Sequence, residues 1–248
     1  MFDSLDGSSE SAPMKVLVII PAYNEAENIE QVVNDVRALG FDYVVVNDGS
    51  RDDTADICRQ RGFSLLDLEE NLGIGGAVQA GHKYALERGY DVDIQFDGDG
   101  QHDASCLIRL VDAISEGADL AIGSRFVDSE NKFRSTAMRR VGIRWLSMTI
   151  RLFGGGKVTD PTSGFRACGK RAIRLFSQSY PIDYPEPESI VSAAKARLNI
   201  KEVPVVMHER QGGASSIGAI SSVYYMIKVT LAIVILGMSS RSSKDATC

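Results

Sequence analysis

DVDIQFDGDGQHD, residues 91–103, begins as a strand and ends as a cluster of oxygen ligands. Val92, Ile94 and Phe96 form a short apolar run of strand length. Asp97, Asp99, Gln101 and Asp103 follow, spaced by Gly98 and Gly100, which give a tight turn its backbone freedom. Oxygen ligands crowded on such a turn suit a hard divalent cation, Mg²⁺ or Mn²⁺, of the kind shared with a substrate phosphate. The same residues also fit a solvated acidic turn. An EF-hand calcium loop does not fit, because the twelfth position counted from Asp97 is Ile108 rather than glutamate.

Upstream, the same passage from apolar run to polar turn to helix occurs three times. Lys15–Ile20 (KVLVII) reads as a central strand buried on both faces, ended by Pro21. From Glu25 to Leu39, Ile29, Val32, Val33 and Val36 recur at helical spacing. Tyr43–Val46 is a second strand; Asp48–Gly49 make its turn, and Asp52 or Asp53 caps a helix running to Arg61. Phe63–Leu66 is a third strand, followed by a glycine-rich turn that opens another helix, where Gly73–Gly76 favour an anion. Val92–Phe96 is the fourth strand. This rhythm predicts a doubly wound, Rossmann-like α/β fold, with a mostly parallel sheet, helices on both faces and ligands at the strands' carboxyl ends.

The chain is long enough at 248 residues for one large domain, with ordinary apolar (44%) and charged (24%) fractions. Its net charge of −6 argues against nucleic acid as a partner. That average hides a segment, 132–157, with seven Lys/Arg and no acid, which leaves a net −13 on the remainder. The four cysteines form no CxxC pair, so free thiols in a reducing compartment are expected rather than disulfides or zinc. Residues 1–14 read as a polar, disordered leader without a signal-peptide core. Two glycine motifs fail on spacing. Gly73, Gly75 and Gly76 do not give GxGxxG, and GGGKVTD (154–160) lacks the spaced glycine of a P-loop.

Seven stretches, in order, resemble the family-2 glycosyltransferases of the GT-A fold, especially the dolichyl-phosphate mannose synthase-like, polyprenyl-phosphate branch. They are PAYNEAENI (21–29), VNDGSRDDT (46–54), NLGIGGAVQAG (71–81), DGDGQHD (97–103), GSRF (123–126), DPTSGFRA (160–167) and IKEVPVVMHERQGGASS (200–216). The resemblance implies a GT-A domain over 15–216, an NDP-sugar donor, a divalent metal and transfer with inversion. It places Pro21, Tyr23, Glu25 and Asp48 around the nucleotide, where an aromatic face and carboxylate acceptors suit a base and a ribose. Gly75, Asp97 and Gly98 fall on the donor side. Asp97 and Asp99 match the DxD pair, and Gln101 matches a further metal-side ligand. Asp160 is the first candidate for a carboxylate facing the acceptor and Glu188 the second. Arg125 and Arg210, joined by Arg139 or Arg140, match an acceptor-phosphate site, for which guanidinium forks are suited. One departure is Ser216, where members of the family often carry lysine after GxS.

A sugar hydroxyl must lose a proton and needs a general base, whereas a polyprenyl phosphate arrives anionic and needs cations. The arginines and Gln101 favour a lipid-linked acceptor. The alternative is a hydroxyl of a growing cell-surface polysaccharide. A sugar-phosphate nucleotidyltransferase should carry a glycine-rich basic loop after the first strand, where this chain has PAYNE. In Met138–Phe153 the polar Arg140, Arg144, Ser147 and Arg151 occupy one narrow helical face, so this helix is expected at a membrane interface. Residues 217–238 are apolar apart from Lys228, and are expected to lie on a membrane or dock on a small membrane-embedded partner. Residues 239–248 read as a polar tail. The expected location is the cytoplasmic face of a membrane, with peripheral attachment.

Overall fold

The structure, a computed structural model, describes residues 14–98, 102–127, 137–206 and 219–239, with side chains throughout except at 137–139 and 219–223. One sheet holds β1 (Val16–Ala22), β2 (Asp42–Asp48), β3 (Leu65–Leu68), β4 (Val92–Gln95), β5 (Leu120–Ser124), β6 (Arg166–Gly169) and β7 (Ile200–Pro204), in the order β3-β2-β1-β4-β6-β5-β7. β6 runs antiparallel to β4 and β5, and the other pairs are parallel. The helices are α1 (Ile29–Ala38), α2 (Thr54–Gln60), α3 (Gly73–Glu87), α4 (Cys106–Ser115), α5 (Ala137–Thr149), α6 (Lys170–Gln178), α7 (Pro185–Lys195) and α8 (Ala219–Ser239), and a π-helical turn (Ile150–Gly154) extends α5. This is the mostly parallel α/β architecture expected.

β1 is buried along its whole length, as a continuous apolar run requires. Its side chains alternate between two cores. Val18 and Ile20 join Ile29 and Val33 of α1 and Leu107 and Leu110 of α4. Leu17 and Ile19 join Ala77 and Val78 of α3, Phe176 of α6, Ile190 of α7 and Val229 of α8.

Pro21 does not end β1, which runs on to Ala22. The Ile19 carbonyl accepts the Phe96 N–H, so Ile19 and, two residues on, Pro21 turn their backbone groups toward β4. The β1–β4 register ends at Ile19 opposite Gln95. Pro21 therefore lacks its N–H where no strand remains to accept it. β3 lies two residues later than expected. α1 starts at Ile29 rather than Glu25, because 25–28 form a turn in which Asn28 and Ile29 donate to the Glu25 carbonyl at 3.0 and 2.9 Å. At α2, Asp53 occupies the N-cap position, but it is the Asp52 carboxylate that accepts the Thr54 N–H, at 3.0 Å.

Because β1, β2 and β4 are parallel, their carboxyl ends share one edge. The end of β5 and the start of antiparallel β6 reach the same edge, so 21–25, 48, 97, 125 and 160–166 converge there. α3 lies close enough on β1 that a Cβ at Gly81 would come within 2.4 Å of Ile19 Cγ2. Overpacking of that kind destabilises by about 1–3 kcal/mol. Gly81→Ala is accordingly expected to lower the thermal midpoint by several degrees, measured by circular dichroism; an unchanged midpoint would show that α3 can lift off β1 freely.

Candidate active site

At this edge lies a cavity of about 360 Å³. Pro21, Ala22, Tyr23 and Glu25 form one wall; Asp48 and Asn71 lie beside it; Gly73, Ile74 and Ala77 bring the N-terminal turns of α3; Asp97 and Gly98 close the far side. Six of the seven residues expected around the nucleotide thus line one cavity. The seventh, Gly75, lies outside it: a Cβ there would come within 2.3 Å of the Pro181 carbonyl oxygen, so Gly75 lets the start of α3 pack under the 181–182 segment. A cavity of about 410 Å³ at the opposite edge is lined by Arg37, Phe41, Tyr43, Ser64, Tyr84 and Tyr90, and Asp42 is the only acid in its wall.

The walls are tied together by short polar contacts. Asn24 adopts φ 57°, a left-handed conformation that asparagine tolerates better than most residues. Its side chain accepts the Arg51 N–H at 2.8 Å, and its N–H donates to Ser50 Oγ at 3.0 Å. Glu25 N donates to Thr54 Oγ1 at 2.9 Å, and Ala26 N to Asp52 at 3.1 Å. Burial works against the Asp52 charge, but the bonds from Thr54 and Ala26 outweigh it and hold its pKa below the ordinary carboxylate value. Asp48 Oδ1 accepts the Leu72 N–H at 2.7 Å, and its carbonyl accepts from Asn71 Nδ2 at 3.0 Å, which locks the end of β2 to the start of α3. Tyr23 stays half-exposed at the cavity wall, with its ring available to a planar ligand.

Asp97 sits at the centre. Gln95 Nε2 donates to its Oδ1 at 3.0 Å, and His102 Nε2 lies 3.1 Å from its Oδ2. Desolvation pushes its pKa up, but His102, Gln95 and the Arg166 charge together pull it below the usual value. Asp97 is therefore ionised at neutral pH. His102 is buried against Phe96 and Phe165. Gly164 leaves room for this contact, since a Cβ there would lie 3.2 Å from Asp97 Oδ2. An ionised carboxylate facing a cavity is an oxygen donor that fits a hard divalent cation. Asp99 and Gln101, expected beside Asp97, lie outside the described residues.

Arg125 and Asp160 form a buried bidentate pair, Nε and Nη2 each 2.7 Å from a carboxylate oxygen, with the Arg125 N–H also donating at 3.1 Å. Glu202 of β7 accepts the Asp160 and Thr159 N–H groups at 2.9 and 2.8 Å, fixing this segment to the sheet. Arg140 is exposed on α5. The side chain of Arg139, and Arg210 and Ser216, lie outside the described residues.

Two residues that sequence reasoning left without a role belong to this edge. Arg166 is buried and donates to the carbonyls of Ser163 (2.7 Å), Glu186 (2.7 Å) and Pro161 (3.3 Å) and to Ser189 Oγ (2.6 Å). Glu186 stands in the first turn of α7, two residues before the expected Glu188 in the same turn. Burial raises the Glu186 pKa against the opposing Arg166 charge, and the Asp97 charge pushes it the same way as burial. Burial, with Asp183 adding, also raises that of Glu188. The available signal for Glu186 was its place as the first acid of PEPES in a helix that starts at this edge.

Comparison with known proteins follows the same pattern. Residues 17–177 match the family described as Glycosyl transferase family 2. The chain is 32% identical over 211 residues to the UDP-N-acetylglucosamine–dolichyl-phosphate N-acetylglucosaminyltransferase of Methanococcus voltae, covering 77% of this chain and 84% of that protein. It is 34% identical over 216 residues to the undecaprenyl-phosphate mannosyltransferase of Micrococcus luteus, covering 82% and 87%. A similar fold occurs in the glucosyl-3-phosphoglycerate synthase of Mycobacterium tuberculosis, solved with Mn²⁺, UDP and glucosyl-3-phosphoglycerate, at a TM-score of 0.66 and 20% identity over 90% of this chain and 80% of that one.

Removing one partner of a buried ion pair destabilises by about 3–5 kcal/mol, because the other charge is left uncompensated. Asp160→Asn and Arg125→Met should each lower stability by about that much in urea unfolding, and the double variant should lose less than the sum. Strictly additive losses would contradict the pairing.

Proposed function

The chain belongs to glycosyl transferase family 2, and from that premise we propose that this glycosyltransferase moves a sugar from an NDP-sugar to a lipid-linked acceptor, polyprenyl phosphate, at the cytoplasmic face of a membrane. The nucleotide occupies the cavity at the carboxyl edge. The Tyr23 ring offers a face to the base, and Asp48 and Glu25 accept from ribose or base N–H and O–H groups. The diphosphate lies toward the N-terminus of the 15-residue α3, whose dipole favours an anion. Mg²⁺ or Mn²⁺, held by Asp97 with Asp99 and Gln101, would offset negative charge on the leaving diphosphate. His102 and Gln95 hold Asp97 in one orientation and charge state for that contact. A lipid-phosphate oxygen displaces the nucleoside diphosphate at the anomeric carbon in one step, forming the new C–O bond as the old one breaks, with inversion. Arg125, fixed by Asp160, and Arg139, Arg140 and Arg210 are the cations proposed for the acceptor phosphate.

The observation that carries the lipid acceptor is an exposed apolar face two helices wide. α5 and α8 run side by side: Gly142 faces Met226, Trp145 Nε1 donates to Thr230 Oγ1 at 3.1 Å, and Gly237 abuts Phe153. Val141, Trp145, Met148 and Leu152 point outward from the first, and Tyr224, Ile227, Leu231, Ile235 and Met238 from the second. Among the described residues no helix is long and apolar enough to cross a membrane. Exposed Arg140, Arg144, Arg151 and Lys228 accompany this face, a pattern suited to lying in an anionic interface.

A second reading, transfer to a polysaccharide hydroxyl, is favoured by one feature. Glu186 and Glu188 both have raised pKa values, which makes a carboxylate a stronger general base. Asp160, locked to Arg125, suits that task less well.

The deciding assay incubates the protein with radiolabelled NDP-sugars, Mn²⁺ and short-chain polyprenyl phosphate, followed by organic extraction. Label should enter the organic phase and fall at least 100-fold with a chelator or with Asp97→Asn. Metal-dependent transfer to a glycan primer alone, abolished by Glu186→Gln or Glu188→Gln, would replace the lipid reading with the second one. Flotation with anionic liposomes tests the apolar face separately. Wild type should float, and Leu231→Asp/Ile235→Asp should remain in the dense fraction while unfolding at an unchanged midpoint. Equal flotation of the two would remove this face from the proposal, and a wild type that does not float would remove the membrane.

A further inference from the structure

A second cluster of metal-ligand chemistry lies inside the protein, away from the donor cavity. Asp93 of β4 stands opposite Cys168 of β6 in the antiparallel register. His82 reaches onto this pair from α3, its Nδ1 2.7 Å from Asp93 Oδ2. The three residues are 2%, 0% and 3% exposed for His82, Asp93 and Cys168. One ligand atom from each lies within 4.8 Å of the others. Asp93 Oδ1 is buried without a hydrogen-bond partner. The His82 ring is held in place by Phe176 and Tyr180, with centroids at 5.5 and 5.1 Å.

A histidine–aspartate hydrogen bond explains only part of this arrangement. It leaves a carboxylate oxygen unpaired in the core, where an unsatisfied polar atom is unfavourable by about 1–3 kcal/mol. The thiol placed directly across the ladder hydrogen-bonds to the same aspartate and supplies a third ligand atom beside it. We propose that His82, Asp93 and Cys168 form a structural zinc site in the core between the sheet and α3. Imidazole, carboxylate and thiolate are the ligand types that zinc takes together, and three protein ligands leave the fourth tetrahedral position to a water molecule. The charges close: a thiolate and a carboxylate balance Zn²⁺, so a neutral unit is buried. Binding releases the thiol proton, and any proton held between His82 and Asp93, to solvent. Zinc bonds of about 2.0–2.3 Å set tetrahedral edges near 3.3–3.8 Å, so a pair as far apart as 4.8 Å closes by about 1–1.5 Å while the 2.7 Å His82–Asp93 contact opens by about 0.6 Å.

Such a site would join three elements that each end at the active edge: α3, whose first turns line the cavity, β4, which leads to Asp97, and β6, which begins at Arg166. Its ligands, at 82, 93 and 168, are too scattered for any spacing motif. The inference is independent of the donor and acceptor assignments.

The test uses the full-length protein purified from zinc-supplemented medium and dialysed against EDTA, which strips exchangeable metal. Mass-spectrometric metal analysis should find about one zinc per chain, released only when guanidinium unfolds the protein in the presence of a chromogenic chelator. Refolding with Co²⁺ should give a near-ultraviolet thiolate-to-cobalt band, and Cys168→Ala and His82→Ala should each abolish metal retention. The wild-type measurement stands even where a variant fails to fold. Wild type holding less than a tenth of an equivalent after zinc-supplemented refolding, or a folded Cys168→Ala that retains its zinc, would overturn the assignment.

Discussion

A buried guanidinium holds the two sides of the active edge together. The Arg166 side chain donates to uncharged acceptors, the carbonyls of Pro161, Ser163 and Glu186 and the Ser189 hydroxyl. A cation taken out of water needs countercharge as well as acceptors. Here the nearby negative charge comes from Asp97, whose pKa Arg166 helps to depress. One side chain thereby fixes the 160–166 segment to the start of α7, supports the ionised carboxylate of the cavity and opposes the rise that burial imposes on the Glu186 pKa. The cavity at the carboxyl edge and the 160–166 segment are positioned against one another through this residue.

The fold places that arrangement on a rigid support. Parallel β1, β2 and β4 bring their polar ends to one edge, while the reversal at β6 returns the 160–166 segment to the same place. Small residues permit close approach at this edge. Gly98 lies against the Pro21 carbonyl, Gly164 against Asp97 and Gln95, and Gly49 against Asn71. Across the molecule, the second core seats α5 and α8 through Leu146, Ile150, Val229 and Ile233, leaving their outward stripes uncovered. The polar edge with its cavity and the apolar face are built by different helices on one sheet.

Much of this was legible before any coordinates. Apolar runs followed by polar turns revealed the parallel strands, and Pro21, Tyr23, Glu25, Asp48, Asp97 and Gly98 do line one cavity. What stayed hidden depends on partners far apart in the chain. Pro21 reads as a strand terminator until the end of β4 shows that no acceptor is missing. Gly75 sits in a motif that suggests anion binding, but its contact is with residues 181–182. The Arg125–Asp160 pair joins positions 35 apart that had been given separate tasks. His102 and Glu186 gain their place only when Phe165, Arg166 and Asp97 are brought beside them.

The central claim is that one cavity at the carboxyl edge holds the nucleotide and, through Asp97, its metal. Anomalous diffraction from crystals grown with Mn²⁺ and a nucleoside diphosphate tests it most directly. The account predicts a manganese peak within about 2.5 Å of an Asp97 carboxylate oxygen, with the base against Tyr23 and the diphosphate toward the start of α3. Nucleotide bound in the opposite cavity beside Arg37 and Tyr90, or manganese with no contact to Asp97, would contradict it.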